Sequence, residues 1–273
     1  MKVYRTIPDL QLDRCKSIAL VPTMGAFHEG HLELMRKAKD LADIVVVSLF
    51  VNPTQFKPGE DFEKYPRDEV RDFALAETVG VDVMFTPTTS EMYPSKETFI
   101  HVGEVTELWE GQFRPGHFGG VATIVAKLFN IVRPDIAVFG LKDYQQCLVL
   151  SRMVRDLNFP TKLVLEETVR EADGLAMSSR NKYLFPEERK AANQLYAELN
   201  RIKSELAADS NEKEIQQNIN KSATNLTAIG FRIDYLELVE AETLKIARSI
   251  KNTRLIVAAK LGNTRLIDNI AVG

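Results

Sequence analysis

The chain has 273 residues, 45% of them hydrophobic and 27% charged, and carries a formal net charge of −3. This length suits one large core or two modest ones, and two domains is the expectation. The slight acidic excess excludes a general nucleic-acid binder, which concentrates basic residues on one face. Cys15 and Cys147 show neither metal-ligand spacing nor a CxxC pattern, which points to a reducing compartment. The opening Met1-Lys2-Val3-Tyr4-Arg5 leads into polar sequence and lacks a signal-peptide core. The longest apolar patch, 121–132, contains Lys127 and Asn130 and falls short of the roughly 20 residues that span a bilayer. A cytoplasmic protein without membrane partners is the expectation.

In chain order, apolar and β-branched runs predict strands at 17–21, 44–50, 81–85, 136–139 and 162–166. Helical spacing covers 31–42, 66–79, 119–132 and 144–157, with Leu34, Ala38 and Leu41 as the apolar stripe of the first. The alternation predicts an α/β fold, a Rossmann-like parallel sheet with helices on both faces. Ligands of such sheets bind beyond the C-terminal strand ends, where the strand order reverses. The sequences 22–31, 51–56 and 140–143 each follow directly after a predicted strand, so three loops converge on one edge. Beyond them, helical patterns at 186–208 and 212–229 precede strands at 234–239, 255–259 and 264–269, a smaller C-terminal α+β domain. The domains divide as 1–173 and 174–273, the second acting as a lid.

The most informative stretch is Pro22-Thr23-Met24-Gly25-Ala26-Phe27-His28-Glu29-Gly30-His31, which holds two of the four histidines. A strand, a glycine turn and a helix opening on imidazoles at i and i+3 offer N–H groups to a nucleotide phosphate. No further His or Cys lies at usable spacing, so a closed zinc site lacks ligands. Gly25 and Gly30 do not make the GxGxxG pattern of a dinucleotide site.

Other motifs keep two readings when taken singly. Gln55 in Phe50-Val51-Asn52-Pro53-Thr54-Gln55-Phe56 suits the orientation of a small polar ligand, whereas Asn52 before Pro53 reads as a turn former. Arg114 and His117 either bind an anion or shape the turn into the following helix, and Trp109 is assigned with Ile124, Leu128 and Phe129 to the core. Lys142 in Gly140-Leu141-Lys142-Asp143 suits a phosphate contact or a capped turn, and Gln146 faces either the same pocket or solvent. Asp173-Gly174 implies a turn, which leaves Ser178, Ser179 and Arg180 on a loop that grips a triphosphate or serves as linker.

Together, Pro-Thr-Met-Gly-x-x-His-x-Gly-His, Phe-Val-Asn-Pro-x-Gln-Phe, Arg-Pro-x-His-Phe, Lys-Asp-Tyr-Gln-Gln and Asp-Gly-Leu-Ala-Met-Ser-Ser-Arg-Asn resemble the pantothenate synthetase (pantoate–β-alanine ligase) family. They stand in that family's order, and 262–269 resembles its C-terminal segment. The His-x-Gly-His element alone is shared with nucleotidyltransferases and class I aminoacyl-tRNA synthetases. A nucleotidyltransferase has the histidine loop but no need of the two glutamine sites.

The resemblance implies ATP-dependent condensation of pantoate with β-alanine through an enzyme-bound pantoyl adenylate, releasing AMP and pyrophosphate. Residue by residue, it implies an ATP site of Met24, Gly25, Ala26, Phe27, His28, Glu29, Gly30, His31, Gly140, Leu141, Lys142, Asp143, Val169, Met177, Ser178, Ser179 and Arg180. His31, His28 and Lys142 become the catalytic residues, and Val169 meets adenine through its backbone. Pantoate falls to Gln55, Gln146, Met24 and Phe50, and β-alanine to Gln55. The family assigns His31 the role of proton donor; phosphoryl chemistry asks chiefly for charge stabilisation there. Leu141 departs from the family's usual Gly-Glu-Lys-Asp and removes any carboxylate role at that position. Mg2+ is implied with ATP, without a protein ligand that the sequence can name, and a homodimer is implied by the same resemblance.

Overall fold

The structure, a computed structural model, describes residues 1–57 and 59–273. Two compact units emerge, and the division is not a single cut in the sequence. The first comprises Met1–Glu107, Arg114–Leu141 and Gln145–Glu167; the second comprises Leu108–Phe113, Lys142–Tyr144 and Thr168–Gly273. Lys142, Asp143 and Val169 therefore belong to the second unit.

In the first unit β1 (Lys2–Tyr4), β2 (Ile18–Thr23), β3 (Ile44–Leu49), β4 (Val83–Phe85), β5 (Ile136–Gly140) and β6 (Lys162–Glu166) form one sheet. The order is β1-β4-β3-β2-β5-β6 and all pairings are parallel. Continuous apolar runs suit strands buried on both faces, as in β2, where Ile18, Ala19, Leu20 and Val21 are at most 2% exposed. The predicted strands thus stand, with ends shifted by a residue or two, and the flanking helices give the Rossmann-like core. β1 went unread because three residues that pair only with β4 carry too short a pattern.

The connecting helices are α1 (Glu29–Leu41), α2 (Glu69–Thr78), α3 (Thr89–Met92), α5 (His117–Val132) and α6 (Tyr144–Asp156); α4 (Glu110–Phe113) lies in the second unit. α1 corrects one expectation. It buries Leu32, Met35 and Ala38, while Leu41 is 38% exposed and Leu34 only borders the core. Both triplets satisfy helical spacing, so packing on the sheet chooses between them. In α5, Ile124, Leu128 and Phe129 are core residues, as their pattern suggests.

Strand order reverses at β2 and β5, which lie side by side while their successors run outward in opposite directions. Residues 24–28 leave β2 at its C-terminal end, residues 50–56 leave β3 beside it, and Leu141 follows β5. Within this unit the fold thereby brings residues 24–28, residues 50–56 and Leu141 to one sheet edge.

The second unit holds α7 (Pro186–Ala192), α8 (Gln194–Glu205), α9 (Glu212–Ile229) and the antiparallel strands β7 (Phe231–Glu240), β8 (Thr253–Leu261) and β9 (Thr264–Ala271). The helix expected over 186–208 divides at Asn193. Leu195, Leu199, Ile202, Ile215, Ile219 and Leu226 pack with Leu238, Val257 and Leu266. Trp109 is half-buried in this unit and donates its indole N–H to Leu244 O at 2.7 Å. Arg170 is held within the same unit: it binds Asp268 at 2.6 and 2.9 Å while its guanidinium lies 3.5 Å from the ring centroid of Tyr196.

Candidate active site

The turn between β2 and α1 uses left-handed backbone twice in succession, Gly25 at φ 83° and Ala26 at φ 55°. Only glycine adopts that conformation without steric cost, so Ala26 requires outside support. Asp72 of α2 supplies it, accepting from Ala26 N–H at 2.8 Å and from Phe27 N–H at 2.7 Å. Burial raises the Asp72 carboxyl above its ordinary range, and the Phe27 and Ala26 N–H groups pull in the opposite direction.

His28 then serves as N-cap of α1 in extended backbone (φ −137°), and its N–H reaches Nδ1 of His31 at 3.4 Å. A ring nitrogen that accepts carries no proton, so neutral His31 bears its proton on Nε2. The two imidazoles stack obliquely with centroids 4.2 Å apart. Two side chains of the motif are engaged elsewhere. Phe27 is 1% exposed and packs in the core, and the Glu29 carboxylate turns along α1 to Arg36. The N–H groups of Ala26 and Phe27, ahead of the helix, are committed to Asp72.

The next loop fixes an amide. Asn52, 1% exposed, caps a short 3-10 turn over Pro53–Gln55. Its Oδ1 accepts from Tyr93 Oη at 2.9 Å, Thr54 Oγ1 at 2.9 Å and Thr54 N–H at 3.3 Å. A backbone N–H can only donate, so the facing atom must be oxygen. Nδ2 is then left to donate to Gln55 Oε1 and to Gly120 O, both at 3.1 Å. With Oε1 taken, Gln55 presents its Nε2 donors, and these reach Met24 Sδ at 2.9 Å. Asn52 is thus more than a turn former: it selects which end of Gln55 faces outward. Phe50 is buried and packs near Tyr93, with ring centroids 6.3 Å apart.

Arg114 and His117 brace the same segment. Arg114 pairs bidentately with Glu60 at 3.0 and 2.8 Å, and donates to Gln55 O at 3.2 Å and to His117 Nε2 at 3.2 Å. His117 Nδ1 donates to the same Gln55 carbonyl at 2.9 Å, which fixes its tautomer. Burial acts to raise Glu60, but the hydrogen bond and charge of Arg114 outweigh it and hold the carboxyl below its ordinary range. Of the two readings for Arg114 and His117, support of the turn is therefore the one with visible contacts. Gln146 is half-buried on α6, and Gly140 closes β5, its carbonyl accepting from Cys147 Sγ at 3.4 Å.

In the second unit, Lys142 and Asp143 lie 3.9 Å apart, and Lys142 O accepts from Asn269 Nδ2 at 3.0 Å. Val169 O accepts from Met177 N–H at 3.0 Å across the Asp173–Gly174 turn, which brings Val169 beside Met177–Arg180. That last segment is not a plain loop. Ser178 caps a 3-10 helix over Ser179–Tyr183 and accepts from Arg180 N–H at 3.2 Å. Arg189 holds the turn through Glu171 and Asp173, each at 2.6 Å.

A sequence model of the family described as pantoate–beta-alanine ligase matches residues 2–271. The chain belongs to the pantoate–β-alanine ligase family. It is 52% identical over 260 residues to the pantothenate synthetase of Moorella thermoacetica, covering 94% of this chain and 91% of that one. A crystal structure of pantothenate synthetase from Thermus thermophilus superposes with a TM-score of 0.94 at 47% identity, over 100% of this chain and 99% of that one. The ligase from Francisella tularensis, whose structure is described as a complex with beta-gamma ATP and beta-alanine, is 35% identical with a TM-score of 0.82, covering 99% and 97% of the chains. Three supports of this candidate site escaped the sequence reading, Glu60, Asp72 and Tyr93, and none lies within a motif quoted from the sequence.

Proposed function

We propose that the protein joins pantoate to β-alanine with ATP, forming an enzyme-bound pantoyl adenylate and releasing pyrophosphate, then AMP. A carboxylate is a poor electrophile, and adenylation gives it a good leaving group. A carboxylate oxygen of pantoate attacks the α-phosphorus of ATP, and the bond to pyrophosphate breaks. The β-alanine amine then attacks the acyl carbon, the bond to AMP breaks, and the amine nitrogen loses a proton. Family membership sets the reaction class. One contact carries the placement of the acid: Gln55 Nε2, presented by Asn52, lies against Met24 at the start of the histidine loop. That contact supports a reading in which the acid is bound beside the loop that carries the histidines.

In this reading His31 Nε2–H and His28 bind the phosphate oxygens on which charge shifts during transfer. Gln55 and Gln146 orient pantoate, Met24 and Phe50 pack against its dimethyl carbon, and Gln55 also receives β-alanine. Gly140, Leu141, Lys142, Asp143, Val169, Met177, Ser178, Ser179 and Arg180 bind ATP, with Lys142 and Arg180 supplying cations. Leu141 contributes its backbone alone. Mg2+ enters as the partner of ATP, held by phosphate oxygens and water. No helix among the described residues is long and apolar enough to cross a membrane. The same reading makes the protein a cytoplasmic homodimer.

The test supplies pantoate, β-alanine and Mg-ATP and resolves the products. AMP formation that depends on both acids is the expected result; ADP in place of AMP overturns the adenylate route. Gln55→Ala removes a hydrogen bond to a charged ligand, typically about 1.5–3 kcal/mol, so KM for pantoate should rise on the order of 10- to 100-fold. The KM for ATP and the melting temperature should change little, and steady-state kinetics with each substrate varied in turn reads the difference.

A further inference from the structure

Asp72 lies on α2, 45 residues beyond Phe27 in sequence, and is 1% exposed. Its oxygens are divided between two consecutive N–H groups of the histidine loop, at 2.8 and 2.7 Å. Among the described residues no salt bridge reaches it. The charges of Arg71 and Asp68 act on it in opposite directions without direct pairing. A buried carboxylate without a salt-bridge partner is costly, and if packing were its only task an apolar side chain would serve better. Oδ2 also lies 2.9 Å from where a Cβ on Gly25 would stand, so the carboxylate occupies the space that glycine leaves.

We propose that Asp72 is a positioning residue for adenylation: it holds Gly25 and Ala26 in left-handed backbone and so fixes where His28 and His31 enter α1. The inference rests on the proposed phosphate-facing role of those histidines. The next N–H along the chain, that of His28, is taken by His31 Nδ1. Three successive backbone donors are therefore spent on building the loop, and the imidazoles rather than these amides meet the phosphate. With Asp72 lost, Ala26 is free to relax to negative φ, and the turn carries both rings with it.

Asp72→Asn keeps the shape and one oxygen but sets an NH2 against an N–H donor. The kcat of pantoate-dependent ATP–pyrophosphate exchange should fall on the order of 10- to 100-fold, as expected for a reacting group displaced by about 1 Å. KM for pantoate should stay within about twofold, because Gln55 is held from Asn52 and Arg114. Adding Ala26→Gly should recover at least about threefold of the lost rate, since glycine takes positive φ without steric cost. A merely structural role in seating α2 predicts no such rescue. A kcat within about threefold of wild type, or a loss that Ala26→Gly leaves untouched, overturns the proposal. Should Asp72→Asn fail to fold, amide hydrogen exchange on the unaltered protein decides: Ala26 and Phe27 N–H should be protected like the amides of β2, and exchange at the intrinsic rate overturns it. If His31 proves dispensable for adenylation, the functional reading fails while the amide protection stands, so the two failures are distinguishable.

Discussion

His31→Ala should remain folded and form pantoyl adenylate on the order of 10²–10³-fold more slowly, the usual effect of deleting one preorganised donor to a developing negative charge. The ring sits in the first turn of α1, between buried Phe27, 5.5 Å away centroid to centroid, and His28 at 4.2 Å. Its loss leaves the sheet core intact, because Leu32, Met35 and Ala38 seat the helix. Circular dichroism and the melting temperature should therefore stay close to wild type while kcat collapses. The tautomer adds a second arm. With Nδ1 accepting from the His28 N–H, the proposed role of His31 falls to Nε2–H, a donor that needs no net charge. His31→Gln restores an N–H without a titratable group, and recovery of about tenfold over the alanine variant would identify hydrogen bonding as its contribution. Equal defects in both variants would support the proton-donor role that the family resemblance assigns. Full adenylation by the alanine variant would sink the assignment of His31 altogether.

Legibility followed the range over which the physics acts. β3 was visible because Val45, Val46 and Val47, none measurably exposed, form an unbroken β-branched run. α9 has the bounds that its helical spacing predicts, and Asn211 caps its start, with N–H groups of Lys213 and Glu214 on its side chain at 3.0 and 3.1 Å and Glu214 returning the bond to Asn211 N–H. The candidate site was legible as motifs, though not as the direction each side chain takes within them. His28, Phe27 and Glu29 are neighbours, yet one faces the loop, one the core and one the helix surface. That assignment depends on the left-handed turn at Gly25 and Ala26, which Asp72 stabilises from another helix. An aspartate in an amphipathic helix reads as solvated surface, and only the tertiary fold turns it inward. Tyr93 escaped for the same reason: its hydroxyl reaches Asn52 across 41 residues. The interrupted helix over 186–208 is the opposite case, a local break at Asn193 that propensity alone does not announce.

Gly119 and Gly120, adjacent in α5, should respond in opposite ways to the same substitution. A Cβ on Gly120 would stand 2.4 Å from Thr54 O and 2.8 Å from Gln55 N. Those are backbone atoms of the turn that presents Gln55, so no side-chain rotation relieves the contact. The turn must withdraw by about 1 Å, a displacement that can cost on the order of 10²-fold. It also strains the Asn52 Nδ2 bond to Gly120 O, 3.1 Å long, and with it the orientation of the Gln55 amide. Overpacking should lower stability by about 1–3 kcal/mol, offset only in part by the 0.5–1 kcal/mol or so that alanine gains over glycine within a helix. Gly120→Ala should thus lower kcat/KM for pantoate on the order of 10²-fold and reduce the melting temperature, with KM for ATP the least affected constant. A Cβ on Gly119 meets Ile100 O at 3.5 Å, an ordinary contact, so Gly119→Ala should keep its activity and gain about 0.5–1 kcal/mol. Kinetics and thermal unfolding on the pair check both arms. Equal behaviour of the two variants would show that α5 does not set the position of Gln55, because helix propensity is common to both and only the contact with the turn differs.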